Sequence, residues 1–269
     1  MAAKKTQSSR KPKSRTAKPA TGALRLLGKV AVVTGGSRGI GFAIAGTLAA
    51  EGCSVVITGR DPATLTQSAA RISESLAKTI ALTQGPQIVA EVCDVRDPES
   101  VASLFATVKR RFGKLDMLVN NAGITQPTVT VEDTTLEMWR DVIDTNLTGM
   151  FLCTRAALGM MPAGATIVNN LSAAAKRVFP NYATYSAAKR GALGFTLSLR
   201  EELIPRGIRV LALMPGATDT DMWDQIMPNA PRERMVDVDS VAQAVLYAVL
   251  LPPSANLSEL LLEPASGAL

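Results

Sequence analysis

The chain has 269 residues, 47% of them apolar, with three cysteines and no histidine. That length holds one large domain or two at most, and the missing histidine excludes a Ser-His-Asp triad, a His-ligated zinc site and a histidine general base. The net charge of +6 is uneven: residues 1–29 carry nine Lys/Arg and no acid, which leaves 20 basic against 23 acidic residues beyond them, a net of −3.

Residues 1–22, MAAKKTQSSRKPKSRTAKPATG, are rich in Lys, Ser and Pro and lack apolar periodicity, the composition of a disordered basic tail. A solvated tail is the favoured reading over a nucleic-acid-binding arm or a targeting peptide, and no apolar h-region speaks for secretion. Residues 23–269 read as one domain in which strands and helices alternate. KVAVVTGG (29–36) is a strand, and 39–51 is a helix that Gly52 stops. SVVITGR (54–60) is the second strand; Asp61-Pro62 then caps a helix running to about Lys78. QIVAEVCDV (87–95) is the third strand, and Asp97-Pro98 repeats the cap before helix 99–112. LDMLVNNAG (115–123) is the fourth strand, followed by a long helix over 136–160. Strand 166–172, helix 183–205, strand 208–216, helix 240–251 and strand 258–264 complete the chain. The fold class is therefore α/β: a single Rossmann-like doubly wound domain, with a mostly parallel seven-stranded sheet covered by helices on both faces. No apolar run approaches the ~18–20 residues of a membrane span. Cys53, Cys93 and Cys153 form no CxxC pair and fall within apolar patterns, as buried free thiols of a cytoplasmic protein would.

In such a sheet, ligands bind beyond the carboxyl ends of the strands. TGGSRGIG (34–41) lies there, placing Gly35, Ser37, Arg38, Gly39, Ile40 and Gly41 between the first strand and the first helix. The glycines are spaced GxxxGxG rather than GxGxxG, but the physics is shared: the backbone turns tightly and approaches a pyrophosphate seated on free N–H groups. Arg38 lies in this loop and Arg60 just past the second strand, where an NAD site usually offers an acid to the ribose 2′-OH. Two cations there match a 2′-phosphate, which favours NADP(H) over NAD(H). The alternative leaves Arg60 solvated or paired with Asp61. Further on, YATYSAAK (182–189) places Tyr185 and Lys189 four residues apart, on one helix face, while Tyr182 is two turns from the lysine.

Together these residues resemble the short-chain dehydrogenase/reductase family over nearly all of 27–269. The match consists of TGGSRGIG, NNAG (120–123), Asn146 within DTNLTG, Ser172, Tyr185-x-x-x-Lys189 and Pro215-Gly216, in that order and spacing. The resemblance implies that Tyr185 is the acid/base, and that Lys189 partners it and binds the nicotinamide ribose. Ser172 would orient the carbonyl, and Asn146 would hold a water of the proton relay. It also implies that Asp94 and Val95 approach the adenine, and that Asn120, Ala122 and Gly123 shape the cofactor groove. Pro215, Gly216, Thr218 and Thr220 would cover the nicotinamide. The family usually forms homodimers or homotetramers through its long helices, and no metal enters its chemistry.

Reduction of a ketone needs a hydride, supplied by the cofactor, and a proton for the nascent alkoxide. A free tyrosine titrates near ~10; the lysine ammonium and the oxidised nicotinamide are expected to lower that value, and Ser172 to donate to the developing oxyanion. Ala175, Asn170-Leu171, the short segment 221–234 and the SELLLEPASG end depart from the family pattern on the substrate side. Arg177, Phe179, Tyr182, Met222 and Trp223 are candidate contacts there. The substrate reads as a small-molecule carbonyl or secondary alcohol. A 3-oxoacyl thioester leads, a sugar or steroid alcohol comes next, and a non-catalytic dinucleotide-sensing or nucleic-acid-binding protein is the alternative class.

Overall fold

Seven strands form one sheet in the order β3-β2-β1-β4-β5-β6-β7, in a computed structural model that describes residues 24–79 and 85–267. The basic tail expected over 1–22 lies outside the described residues. The strands are β1 Val30–Val33, β2 Ser54–Gly59, β3 Ile88–Val92, β4 Met117–Asn120, β5 Thr166–Asn170, β6 Arg209–Pro215 and β7 Glu259–Leu262. Every pairing is parallel, so the expectation of a mostly parallel sheet resolves to a fully parallel one among the described residues. Each return crosses over a face of the sheet, which is why the strands are apolar on both sides.

The side-chain period of two divides the interior into two layers. Ala31 and Val33 pack with helices α1 (Gly39–Ala50), α2 (Pro62–Thr79) and α8 (Val238–Val249). Val30 and Val32 pack on the opposite face, with α3 (Pro98–Phe112), α5 (Gly149–Ala157) and α6 (Ala183–Leu203). Each buried aliphatic side chain contributes about 1.5–3 kcal/mol, so the alternation fixes which face each strand presents. The expected caps are in place. Asp97 accepts from the N–H groups of Glu99 and Ser100, and Asp61 from that of Thr64 at 2.6 Å. Gly52 ends α1 at φ +90, a left-handed conformation that favours glycine.

The helix expected over 136–160 is not continuous. It is α4 (Leu136–Ile143), a π-helical turn (Asp144–Thr148), α5, and a short 3₁₀ turn (Leu158–Met160). The π turn carries Asn146, and it precedes Gly149, whose missing Cβ would lie 2.7 Å from Val95 Cγ2. The chain thus widens by one residue where it presses on the end of β3, a common device at functional sites. After β6, residues 217–236 make a loop containing the four-residue α7 (Trp223–Ile226). The strand order reverses between β1 and β4. Ligands of doubly wound sheets bind in that crevice.

Candidate active site

The loop after β1 is shaped by its glycines. Gly35 and Gly39 have φ of +62 and +54. A Cβ on Gly41 would overlap the Gly35 carbonyl oxygen and Asn121 Nδ2. Asn121, which the sequence marks within NNAG but gives no role of its own, holds the loop: its Nδ2 donates to the carbonyls of Thr34 (2.9 Å) and Gly35 (3.0 Å). Thr34 Oγ1 in turn accepts from the N–H groups of Asn121 and Ala122. No side chain caps the start of α1, so its free N–H groups face the crevice edge as an anion site would require. Ser37 is fixed by its carbonyl, which accepts from Ser68 Oγ at 2.7 Å, and Ile40 packs partly into the core beneath the loop. Arg38 and Arg60 are exposed, and neither has a hydrogen bond or ion pair among the described residues. The local pair with Asp61 does not form, because that carboxylate is the cap of α2.

Asp94 sits past β3 with its carboxylate engaged by the Arg96 guanidinium, which also reaches Asp141. The Arg96 hydrogen bonds hold the Asp94 carboxyl below its usual range. Its side chain keeps 31% exposure, which leaves an edge open to a ligand. Val95 is buried against Gly149.

The Asn120 side chain turns inward: it is 3% exposed and donates to Thr154 Oγ1 (3.0 Å) and Asn169 Oδ1 (2.8 Å). Asn169 then donates to Thr196 Oγ1, so the four elements α5, β4, β5 and α6 share one buried polar ladder. Alternation along β4 turns Asn120 into the interior and leaves its neighbour Asn121 at the crevice.

Ser172, Tyr185, Lys189 and Asn146 converge beyond β5. Ser172 is extended at the strand end, where its Oγ accepts from the Ala174 N–H at 3.1 Å and lies near enough to the Tyr185 phenol to favour its ionised form. Lys189 Nζ lies 5.5 Å from the Tyr185 ring centroid and donates to the Asn170 carbonyl at 3.1 Å. The Asn146 side chain clamps Ile124, accepting from its N–H at 2.9 Å and donating to its carbonyl at 2.8 Å. A relay water at Asn146 would therefore have to use its main chain. Gly123 has no room for a side chain, since a Cβ would come within 2.6 Å of Asn146 Oδ1 and 3.6 Å of Lys189 Nζ.

Burial dominates the electrostatics. It lowers Lys189 to about 8, because an ammonium loses hydration there. The Tyr185 phenol is pushed up, first by burial and then by the neighbouring Tyr182, with nearby Ser172 opposing. The expected depression by Lys189 is thus not produced by the chain's own residues. The ammonium lies over the ring and is directed at the Asn170 carbonyl, while the tyrosine is 8% exposed.

The segment after β6 is tied down at several points. Gly216 N–H donates to the Leu262 carbonyl at 2.8 Å beside Pro215, Thr218 Oγ1 donates to the Gly216 carbonyl at 3.1 Å, and Trp223 Nε1 donates to the Thr218 carbonyl at 2.9 Å. Thr220 leans on the glycine loop, its Cγ2 lying 3.3 Å from where a Gly39 Cβ would be. Arg232, which no local pattern marks, fastens the loop by donating to Asp219, Asp224 and the Thr220 carbonyl. Among the candidate substrate contacts, Trp223 is a loop anchor, Met222 is half-buried and Arg177 pairs with Glu263 at 2.5 Å. Phe179 is exposed, and Tyr182 hydrogen-bonds Thr125 while its ring stands 4.9 Å from that of Tyr185.

Comparison with known proteins adds independent findings. Residues 29–231 match the family model described as short chain dehydrogenase. A 3-oxoacyl-[acyl-carrier-protein] reductase of Synechocystis sp. is 38% identical over 240 residues, covering 87% of this chain and 94% of the relative. A 3beta-hydroxysteroid dehydrogenase of Mediterraneibacter gnavus is 36% identical over 198 residues, 73% of this chain and 68% of the relative. Among solved structures, a short chain dehydrogenase from Burkholderia cenocepacia J2315 in complex with NADP superposes with a TM-score of 0.79 at 35% identity, over 89% of this chain and 98% of that one.

Proposed function

The chain belongs to the short-chain dehydrogenase family, and from that premise we propose that it reduces a ketone carbonyl with NADPH, 3-oxoacyl thioesters being the leading substrate class. The observation that carries the reading is Lys189 Nζ standing 5.5 Å from the Tyr185 ring centroid, with Ser172 beside that phenol at the strand end next to the glycine loop. The bound cofactor supplies the hydride. The chain's residues do the rest. Gly35, Ser37, Gly39, Ile40 and Gly41 seat the pyrophosphate; Arg38 and Arg60 take the 2′-phosphate. Asp94, Val95, Ala122 and Gly123 border the adenosine and ribose, and Pro215, Gly216, Thr218 and Thr220 close over the nicotinamide. Ser172 accepts from Ala174 and still has its own O–H to offer the carbonyl oxygen as negative charge develops. Tyr185, kept protonated by burial, gives its proton to that oxygen. Lys189 stabilises the phenolate left behind and holds the ribose.

Membership in an oxidoreductase family displaces the non-catalytic reading. The relatives named for 3-oxoacyl reduction support a thioester, and the steroid-named relative keeps a steroid alcohol as the second candidate. Following NADPH oxidation over ketones, 3-oxoacyl thioesters and steroids, with NADH as control, tests the assignment. Arg60→Asp is expected to weaken NADPH binding at least about tenfold while NADH binding changes less than about twofold, since a charge-assisted phosphate contact is worth ~1.5–3 kcal/mol; equal losses would refute the NADP(H) preference. Reduction is also expected to slow as pH rises through about 8, where Lys189 loses its ammonium. A kcat profile level across that range counts against Lys189 acting as a cation.

Self-association fits the same picture. Trp139 and Phe151 are each 42% exposed on α4 and α5, and Phe151 meets Phe195 of α6 edge-on. That face supports a homodimer or homotetramer. Three buried free thiols support a cytoplasmic location, and no described helix is long and apolar enough to cross a membrane.

A further inference from the structure

Asn170 ends β5 on the face that Val168 presents to the apolar core, yet it is an amide, and it is buried. It is also one of the positions at which the chain departs from the family pattern. Its Nδ2 donates to Asn121 Oδ1 at 2.8 Å, while its Oδ1 has no hydrogen-bond partner. Burying an amide with one end unpaired is costly, and an apolar side chain would serve the strand without that cost. The donor end has to account for the amide.

Two hydrogen bonds place Asn170 between the glycine loop and the lysine of α6. Asn121 Nδ2 is spent on the carbonyls of Thr34 and Gly35. That fixes the Asn121 amide with its Oδ1 turned away from the loop, where a donor has to meet it, and Asn170 supplies that donor. On its main chain, Asn170 offers its carbonyl to Lys189 Nζ at 3.1 Å. Among the described residues this carbonyl is the one hydrogen-bond acceptor of the buried ammonium. The route from Gly35 to Lys189 thus runs through two side-chain amides and one carbonyl, in contacts of 3.0, 2.8 and 3.1 Å.

We infer that Asn170 is a positioning residue for Lys189, fastening the lysine to the loop that seats the cofactor pyrophosphate. Its side chain sets where the end of β5 stands relative to that loop. Its carbonyl sets where the ammonium stands beside the Tyr185 ring. The loop and the lysine then hold two parts of one cofactor, pyrophosphate and nicotinamide ribose, at a fixed separation. Asn170 needs no contact of its own with cofactor or substrate, because it acts through Lys189. The inference rests on the reductase reading. Its rival is that the amide merely satisfies Asn121, a role to which Lys189 is indifferent.

Asn170→Leu keeps the size and the main-chain carbonyl and removes the donor. The readouts are kcat against pH at saturating NADPH and ketone, and the Kd for NADPH. At pH ~7, kcat should fall about threefold or more while the ketone KM changes less than about twofold, because a displaced catalytic group slows the chemical step. In wild type, kcat is expected to fall as pH rises through about 8, where Lys189 loses its proton. In the variant that fall should begin at a pH at least about 0.5 lower, since an ammonium deprived of its acceptor is a stronger acid. Tyr182 and Tyr185 face the same site, but burial pushes both up and out of this range. Asn121→Leu should move the profile in the same direction, and the double variant should move it no further. If Asn170→Leu does not fold, Asn170→Thr, too short to reach Asn121, gives the same readouts. An unmoved pH profile or an unchanged kcat overturns the inference, because the amide then serves Asn121 alone; so do effects that multiply in the double variant. A wild-type protein that oxidises NADPH with no ketone overturns the reductase reading instead, and the Kd for NADPH then decides on Asn170. Asn170→Leu and Lys189→Met should each raise it, and together no more than the larger of the two. An unchanged Kd in Asn170→Leu, or losses that multiply, refutes the link.

Discussion

Tyr185→Phe is expected to lower kcat for ketone reduction about 10²–10⁴-fold while the Kd for NADPH stays within about twofold. The substitution removes one oxygen and keeps the ring. The contact with Tyr182 at 4.9 Å and the Lys189 ammonium 5.5 Å from the ring centroid both survive. Burial pushes the phenol up, so in the free protein it is protonated at any ordinary assay pH. It is thus a loaded donor, and its loss leaves the nascent alkoxide without a proton donor held in place by the protein. Ser172 can still polarise the carbonyl, which is why the loss stops short of the full catalytic effect. Tyr182→Phe is the control. It breaks the Thr125 hydrogen bond but touches neither Ser172 nor Lys189, so only a modest change in KM is expected. Stopped-flow reduction and fluorescence titration of NADPH measure the two quantities separately. Comparable turnover in Tyr185→Phe and wild type would remove Tyr185 from the mechanism.

What the sequence discloses about this site follows from what is local. Asp61 and Asp97 announce helix starts because capping is a contact within three residues. Gly52 announces a stop because its left-handed backbone is a property of one residue. The order of Gly loop, Ser172, Tyr185 and Lys189 is legible for a different reason: the i,i+4 pair needs only one helix turn, and the strand ends all face one crevice. The features that escape are those set by packing. The π turn at Asp144–Thr148 adds one residue to a helix whose apolar pattern continues on both sides, so periodicity passes over it. Asn120 and Asn121 are identical in chemistry, and only the register of β4 against β5, Asn120 opposite Asn169, decides which one enters the core. Arg232 reaches Thr220 across twelve residues with no repeating pattern between them. Charges beside the Tyr185 phenol can be read from a sequence, whereas the burial that raises it in the free protein is a product of packing and cannot.

Gly41→Ala should be the most damaging conservative change in the cofactor loop, weakening NADPH binding by about 100-fold or more and lowering Tm. Gly41 has an ordinary negative φ, so the effect is steric and not conformational. The added methyl would collide with the Gly35 carbonyl oxygen and with Asn121 Nδ2. Neither can retreat cheaply. The Gly35 carbonyl belongs to a residue at φ +62, and Asn121 Nδ2 is already bonded to the carbonyls of Thr34 and Gly35. Relief requires either that α1 withdraw from the loop or that the Asn121 clamp open. Withdrawal separates the helix N–H groups from the turn and undoes the anion cradle. Opening the clamp releases Thr34 and Asn121, and through Asn170 it loosens the carbonyl that holds Lys189. Overpacking of this kind costs about 1–3 kcal/mol, which lowers Tm by several degrees. Gly46→Ala on the same helix separates this effect from a general intolerance of alanine. A Cβ there meets nothing within 4 Å, so helix propensity alone acts and stability should rise by up to about 1 kcal/mol. NADPH titration and thermal unfolding of the two variants in parallel test the claim. If Gly41→Ala binds NADPH as Gly46→Ala does, the close approach of α1 to its loop is not what holds the cofactor.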